Sequence, residues 1–282
     1  MHKALEVYEG VLQIPSDMTT IPEGFCAGRE DIRRILLPQS IYSIGPEAFS
    51  ECTALEEVIF PEELLFVSPA AFLNCTALEK VILPRKLRSI NEGAFLGCEA
   101  LRSISLPASL EAIDEMAFWG SGLEEITVPA AVEQIGENAF WDCAALRRVD
   151  ILGQHTRIGK NAFGNCPALV EGFVAPGYPE DDSPPAQLLY TLLWCSCPER
   201  HTEATAKRAK AFIAAQESLV MERIIKTGNT AAMAGIAAQR LLDPVHIDEY
   251  LLICAEMGNM ELTALLLQAK GSGGREEEEF AL

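Results

Sequence analysis

The chain has 282 residues, 49% of them hydrophobic, and a formal net charge of −19. That apolar content excludes a mainly disordered chain, and the length exceeds one ordinary globular domain. The acidic excess excludes nucleic acid as a natural partner, since a phosphate backbone needs clustered Lys and Arg.

The acidity falls mainly on residues 1–182, with 13 basic and 28 acidic side chains, against 9 and 13 in residues 183–282. Met1 to Pro15 show no basic segment followed by an apolar run, so no secretory signal is read there. No stretch approaches the ~20 apolar residues of a membrane span, so membrane insertion is not expected. Cytoplasm is the expected location, with the cell surface or secretion as the alternative if a leader precedes Met1.

Seven phenylalanines, Phe25, Phe49, Phe72, Phe95, Phe118, Phe140 and Phe163, recur every 22 to 24 residues. A period in this range predicts a repeat protein whose units bury their apolar faces against their neighbours. One unit reads Leu55, Val58, Phe60, Pro61, Leu64, Val67, Ala71, Phe72 and Cys75. The next reads Leu78, Val81, Leu83, Pro84, Leu87, Ile90, Ala94, Phe95 and Cys98. The slots recur from Leu101 to Phe118, lose one residue at Gly120-Ser121-Gly122, and resume from Leu123 to Phe140. A further unit, Leu146 to Phe163, has Leu152 where the others carry Pro.

Each slot has a physical reason. Val58-Ile59-Phe60 alternates as a strand with one buried face, and Pro61 ends it because Pro cannot donate to a ladder. Gly45, Ser68, Asn91, Asp114, Gly136 and Gly159 follow the second Ile or Val and are cap and turn types. Pro46 and Pro69 come next, where a first helical residue tolerates Pro. Each unit is therefore expected to be a strand, a turn, one helical or 3₁₀ turn, and a return. Three residues after the ladder Phe stand Cys52, Cys75, Cys98, Cys143 and Cys166, with Ser121 and Gly28 in the same slot. A slot shared by Cys, Ser and Gly asks for small buried side chains, and reduced thiols fit a reducing compartment.

On the outward strand face, one column reads Leu36, Ile59, Ile82, Ser105, Thr127 and Asp150. A second reads Arg34, Glu57, Lys80, Ser103, Glu125 and Arg148. Leu36, Ile59 and Ile82, flanked by Arg34, Glu57 and Lys80, form the candidate partner-binding strip.

The pattern LxxIxLPxxLxxIgxxAFxxC resembles the BspA-like, or Treponema-type, leucine-rich repeat family, from Val11 to Tyr178 over about seven units. The resemblance implies a curved solenoid with parallel strands lining its concave face, and a protein-binding or adhesive role.

After the breaker-rich segment from Pro176 to Pro185, the period becomes helical: Leu188, Leu189, Leu192 and Leu193 share a face, as do Ala206, Ala209, Phe212 and Ile213. Gly228-Asn229 and Gly258-Asn259 punctuate helical stretches thirty residues apart and resemble ankyrin repeats. Such a segment is expected either to cap the repeats or to form a second binding module. The expected organisation is leucine-rich repeats over 1–178, a linker over 179–185, a helical domain over 186–270 and a disordered acidic tail over 271–282.

No chemistry-bearing constellation emerges. Zinc needs converging paired ligands, whereas the ladder cysteines stand one per unit in a single line. Cys195-Ser196-Cys197 has no second pair, and His2, His155, His201 and His246 are scattered. No catalytic residue, metal or cofactor is therefore expected. The sequence reading is a non-catalytic protein-binding scaffold, with a bacterial surface adhesin or host-interaction protein as the alternative. Self-association through solenoid edges or apolar strips stays open.

Overall fold

Two parallel ladders of short strands and one line of stacked rings build the repeat region. In the computed structural model the described residues are 7–153, 156–169, 171–174, 184–196 and 203–273. The chain divides into two units, one of residues 1–168 with 179–181 and one of 169–178 with 182–282.

In the first unit, Val11–Gln13, Arg34–Leu36, Glu57–Ile59 and Lys80–Ile82 pair in parallel, preceded by an antiparallel Val7–Tyr8. Leu12, Ile35, Val58 and Val81 share one register column and are buried, so their neighbours on either side face out. The ladder resumes at Glu125–Val128 paired with Arg148–Ile151.

The second ladder contains Thr20–Ile21 paired with Ser43–Ile44. It continues as Phe66–Val67, Ser89–Ile90, Ala112–Ile113, Gln134–Ile135 and Arg157–Ile158. The Ile or Val that ends each of these strands is buried.

The expected helical turn before each Phe is replaced by a hydrogen-bonded turn. Its backbone is spent between units: Phe49 N donates to Ala71 O (2.9 Å), Phe72 N to Ala94 O (2.9 Å) and Phe95 N to Ala117 O (2.8 Å). A helix would need those N–H groups within the unit. The glycines expected as caps serve close approach instead. A Cβ on Gly136 would stand 2.4 Å from Glu115 N, and one on Gly45 2.5 Å from Glu23 N.

Six rings from Phe49 to Phe163 stack in succession, with centroids 5.1–5.6 Å apart and planes 7–21° from parallel. Phe25, expected as the first rung, is only partly buried, so the spine starts at Phe49. The small-residue slot has a polar task as well. Cys75 Sγ donates to Phe49 O (3.1 Å), Cys98 Sγ to Phe72 O (3.3 Å) and Cys166 Sγ to Phe140 O (3.2 Å). Each thiol thereby satisfies a buried carbonyl of the preceding unit.

The second unit carries helices α1 (Pro184–Ser196), α2 (Glu203–Thr227), α3 (Thr230–Ala238), α4 (Ile247–Glu256) and α5 (Met260–Gly273). Gln216 leaves helical geometry (φ −140°, ψ 35°) and kinks α2, which divides it into two shorter helices. Trp194, Ala209, Ile213, Met221, Ile224, Met233, Ile236, Cys254 and Leu266 form its core. The two Gly-Asn pairs do the same work: Asn229 Oδ1 accepts from Ala232 N (2.8 Å), and Asn259 Oδ1 from Leu262 N (3.1 Å). Both cap a helix N-terminus, after glycines at φ +67° and +69°. Among the described residues no helix is long and apolar enough to cross a membrane. The stretches 179–183 and 274–282, with His2, His155, His201 and Cys197, lie outside the described residues.

Candidate functional site

Register fixes the outward columns. Gln13, Leu36, Ile59 and Ile82 oppose one another in turn, as do Val11, Arg34, Glu57 and Lys80. Leu36, Ile59 and Ile82 are each 43% exposed, so the ladder presents a continuous aliphatic strip. Strand spacing sets its step at ~4.8 Å. β-branched and aliphatic residues suit strands on either face, but a solvated face ordinarily alternates to polar.

Beside the strip, Glu57 is bridged on both sides. Arg34 Nε lies 2.9 Å from Glu57 Oε2, and Lys80 Nζ donates to Oε1. The Lys80 hydrogen bond, with lesser help from the charges of Lys80 and Arg34, holds the Glu57 carboxyl below its ordinary range. The three side chains are thus tied along the strip as a chain of ion pairs with one positive charge in excess. The face thus sets apolar surface beside directional polar groups, the general composition of a protein interface.

The columns do not run on unbroken. Residues 101–107, with Ser103 and Ser105 at the two outward slots, form no strand, and Ile104 and Leu106 are only partly buried. The next unit is the shortened one. Gly122 there packs so closely that a Cβ would stand 2.0 Å from Glu99 O. Serine is also a weak strand former. The ladder therefore opens into a groove of about 620 Å³ lined by Lys80, Val81, Ser103, Ile104, Thr127 and Leu152. Beyond it Glu125 aligns with Arg148, and Thr127 with Asp150, in the columns read from sequence.

Sequence reasoning missed a second apolar cluster. Tyr42, Leu65 and Phe66 are exposed where the second ladder is interrupted between Ser43–Ile44 and Phe66–Val67. Its signal was present, because the matching slots of the following unit hold Arg88 and Ser89.

The remaining candidates fall to structural tasks. Cys52 and Cys143 are pushed up to about 11, first by burial, and Cys195 up to about 12 for the same reason. Such thiols are poor nucleophiles near neutrality. His246 stands at the start of α4 and makes no side-chain cap. Its Nδ1 lies 3.3 Å from Glu217 Oε1, which also accepts from Tyr250 Oη (3.1 Å), while Glu217 Oε2 accepts from Asp243 N (3.0 Å). Glu217 thus ties the kinked α2 to the start of α4.

The model of the BspA type leucine rich repeat region matches residues 19–147 and 66–176, in six copies. Among solved structures, a leucine-rich repeat protein from Bacteroides ovatus is similar at 28% identity, over 58% of this chain and 50% of that one, with a TM-score of 0.48. The leucine rich repeat protein of T. pallidum is similar at 28% identity, over 58% and 68%, with a TM-score of 0.43. A leucine rich cell surface protein from Faecalibacterium prausnitzii is similar at 21% identity, over 61% and 72%, with a TM-score of 0.40. The match thus spans half the length of the Bacteroides ovatus protein. No curated protein matches the chain.

Proposed function

Because the chain belongs to the BspA-type leucine-rich repeat family, we propose that it is a non-catalytic scaffold that binds a protein partner on its concave strand face. The observation that carries this reading is the Leu36/Ile59/Ile82 strip, three aliphatic side chains in consecutive register, each 43% exposed. Exposing that surface to water is unfavourable by roughly 25 cal/mol per Å², and a partner that covers it recovers this free energy. Arg34, Glu57 and Lys80 set orientation at its edge. The eight free, buried cysteines among the described residues support a reducing compartment, and the reading includes a cytoplasmic location.

The test compares the wild type with Leu36/Ile59/Ile82→Asp as bait in a lysate of the source cells, with retained proteins identified by mass spectrometry. All three residues are exposed, so the variant is expected to fold. The reading expects a protein retained by the wild type and absent from the variant, whose circular dichroism matches the wild type. Equal retention by both overturns the assignment to this face.

A further inference from the structure

Among the described residues, two buried side-chain polar atoms make no hydrogen bond, Thr191 Oγ1 and Trp194 Nε1, and they stand one turn apart on α1. A buried indole N–H can only donate, and one without an acceptor points to a group that the chain itself does not supply. Trp194, 1% exposed, also lines a groove of about 600 Å³ that lies on α1 between the first part of α2 and helix α3. That volume is in the range of small-molecule sites.

The walls of the groove are small. Ala206 on α2 and Ala231, Ala234, Gly235 and Ala238 on α3 put no atom beyond Cβ into it. Its polar groups are donors. Lys210 is the one charged side chain among the described lining residues, and its Nζ lies 6.0 Å from the centre of the Trp194 ring. Lys80, Lys86, Lys226 and Lys270 each pair with a carboxylate, whereas Lys210 does not. In a chain of net charge −19 this groove is thus a local positive site. A backbone donor adds to it. Asn229 caps Ala232 N, which leaves the N–H of Ala231, in the first turn of α3, without an acceptor among the described residues. The partial positive charge of a helix start reinforces the field of Lys210. Ser196 is already engaged, since its Oγ donates to Leu192 O (3.0 Å).

We infer that this groove binds a small molecule that carries a carboxylate or a phosphate on an apolar body. Three donors with no carboxylate beside them select the anion, and the Ala and Gly walls select the body. Lys210 gives the anion a charge-assisted hydrogen bond, and Trp194 Nε1 gains the acceptor it lacks. The site lies wholly within the helical unit and does not depend on the concave strand face.

The indole N–H signals of the ¹⁵N-labelled full chain report on the site directly, with that of Trp194 identified by its loss in Trp194→Phe. The probes are phenylacetate, phenyl phosphate and the neutral phenylacetamide, each titrated to roughly 20 mM, because ligands of about ten heavy atoms bind in the millimolar range. The expected result is a saturable downfield shift of the Trp194 signal with at least one anion, with those of Trp119 and Trp141 unmoved. Response to phenylacetate alone assigns a carboxylate, and to phenyl phosphate alone a phosphate ester. Phenylacetamide should bind at least tenfold more weakly, and Lys210→Met and Ala234→Leu should each weaken the anion at least tenfold. Both substitutions stand at exposed helical positions, so circular dichroism should match the wild type. No saturable shift with either anion overturns the inference. So does an equal response to phenylacetamide, or anion binding that Lys210→Met leaves unchanged.

Discussion

The repeat unit around Phe72 and the helical unit around Met221 bury similar side chains under different rules. In the first, contacts recur from unit to unit: Phe72 stacks between its counterparts Phe49 and Phe95, and Cys75 reaches the Phe49 carbonyl one unit back. In the second, unlike residues from all five helices converge, and Leu192, Ala209, Met233, Tyr250 and Leu266 have no common slot. A one-dimensional stack spreads its stability over nearest-neighbour interfaces, whereas a convergent core concentrates it. A linear stack can therefore leave one face free for long contacts without weakening its interior.

Substitutions sharpen the contrast. Phe95→Ala removes one ring from the spine and is expected to cost about 3–5 kcal/mol. In a stack this loss should fall on the units from Phe72 to Phe118, with the helical unit unchanged, as amide hydrogen exchange resolved by segment would report. Uniform destabilisation of both units would break the comparison.

Gly235→Ala is the matching test in the helical unit. An added Cβ would stand 1.8 Å from Cys195 O, where α3 crosses α1. The expected cost is about 1–3 kcal/mol, by overpacking, with strand amides unaffected. Asn229→Ala and Asn259→Ala remove equivalent caps, each costing ~1 kcal/mol in thermal or urea unfolding. The first should cost more, because Asn229 is buried and Asn259 only partly so.

Alkali should also test the burial of the ladder thiols. Burial raises Cys26, Cys52 and Cys143 to about 11 in the folded chain, above the ordinary thiol value. A raised thiol pKa means that the folded state holds its proton longer than the unfolded state does. Its contribution is full below the unfolded value near 8.5 and is lost as pH climbs through about 11. The urea midpoint of the repeat region should fall across that window, and less so when Cys52 is replaced by Ser. A flat profile would contradict the burial account.

The smallest effect is expected from Glu57→Gln, at about 1 kcal/mol or less, since its cations Arg34 and Lys80 are themselves mostly exposed. What stability Glu57 adds is present above the ordinary carboxylate range and lost as pH falls through its lowered value. Partner affinity should respond more than stability does.

The solenoid was legible because one physical demand recurs at each slot. The Phe spacing, the small Cys slot and the outward columns follow from the periodicity, and their register agrees with the strand pairing at Leu36, Ile59 and Ile82. The second strand of each unit was not legible: two residues such as Ser89-Ile90 are too short to show alternation. Nor was the opening at 101–107, which depends on how the shortened unit packs through Gly122. In the helical unit the Gly-Asn repeats were readable as breaks between helices, and their capping of α3 and α5 came from the structure. The kink at Gln216 and the Glu217 cluster with His246 and Tyr250 arise from tertiary packing, which leaves no periodic trace.

The most direct test of the concave-face account is hydrogen–deuterium exchange of the chain alone and with the partner recovered by capture. The account predicts added protection at Arg34–Leu36, Glu57–Ile59 and Lys80–Ile82, with the helical unit unchanged. Protection confined to the Tyr42/Phe66 cluster or to α1–α5, with none on those three strands, would contradict it.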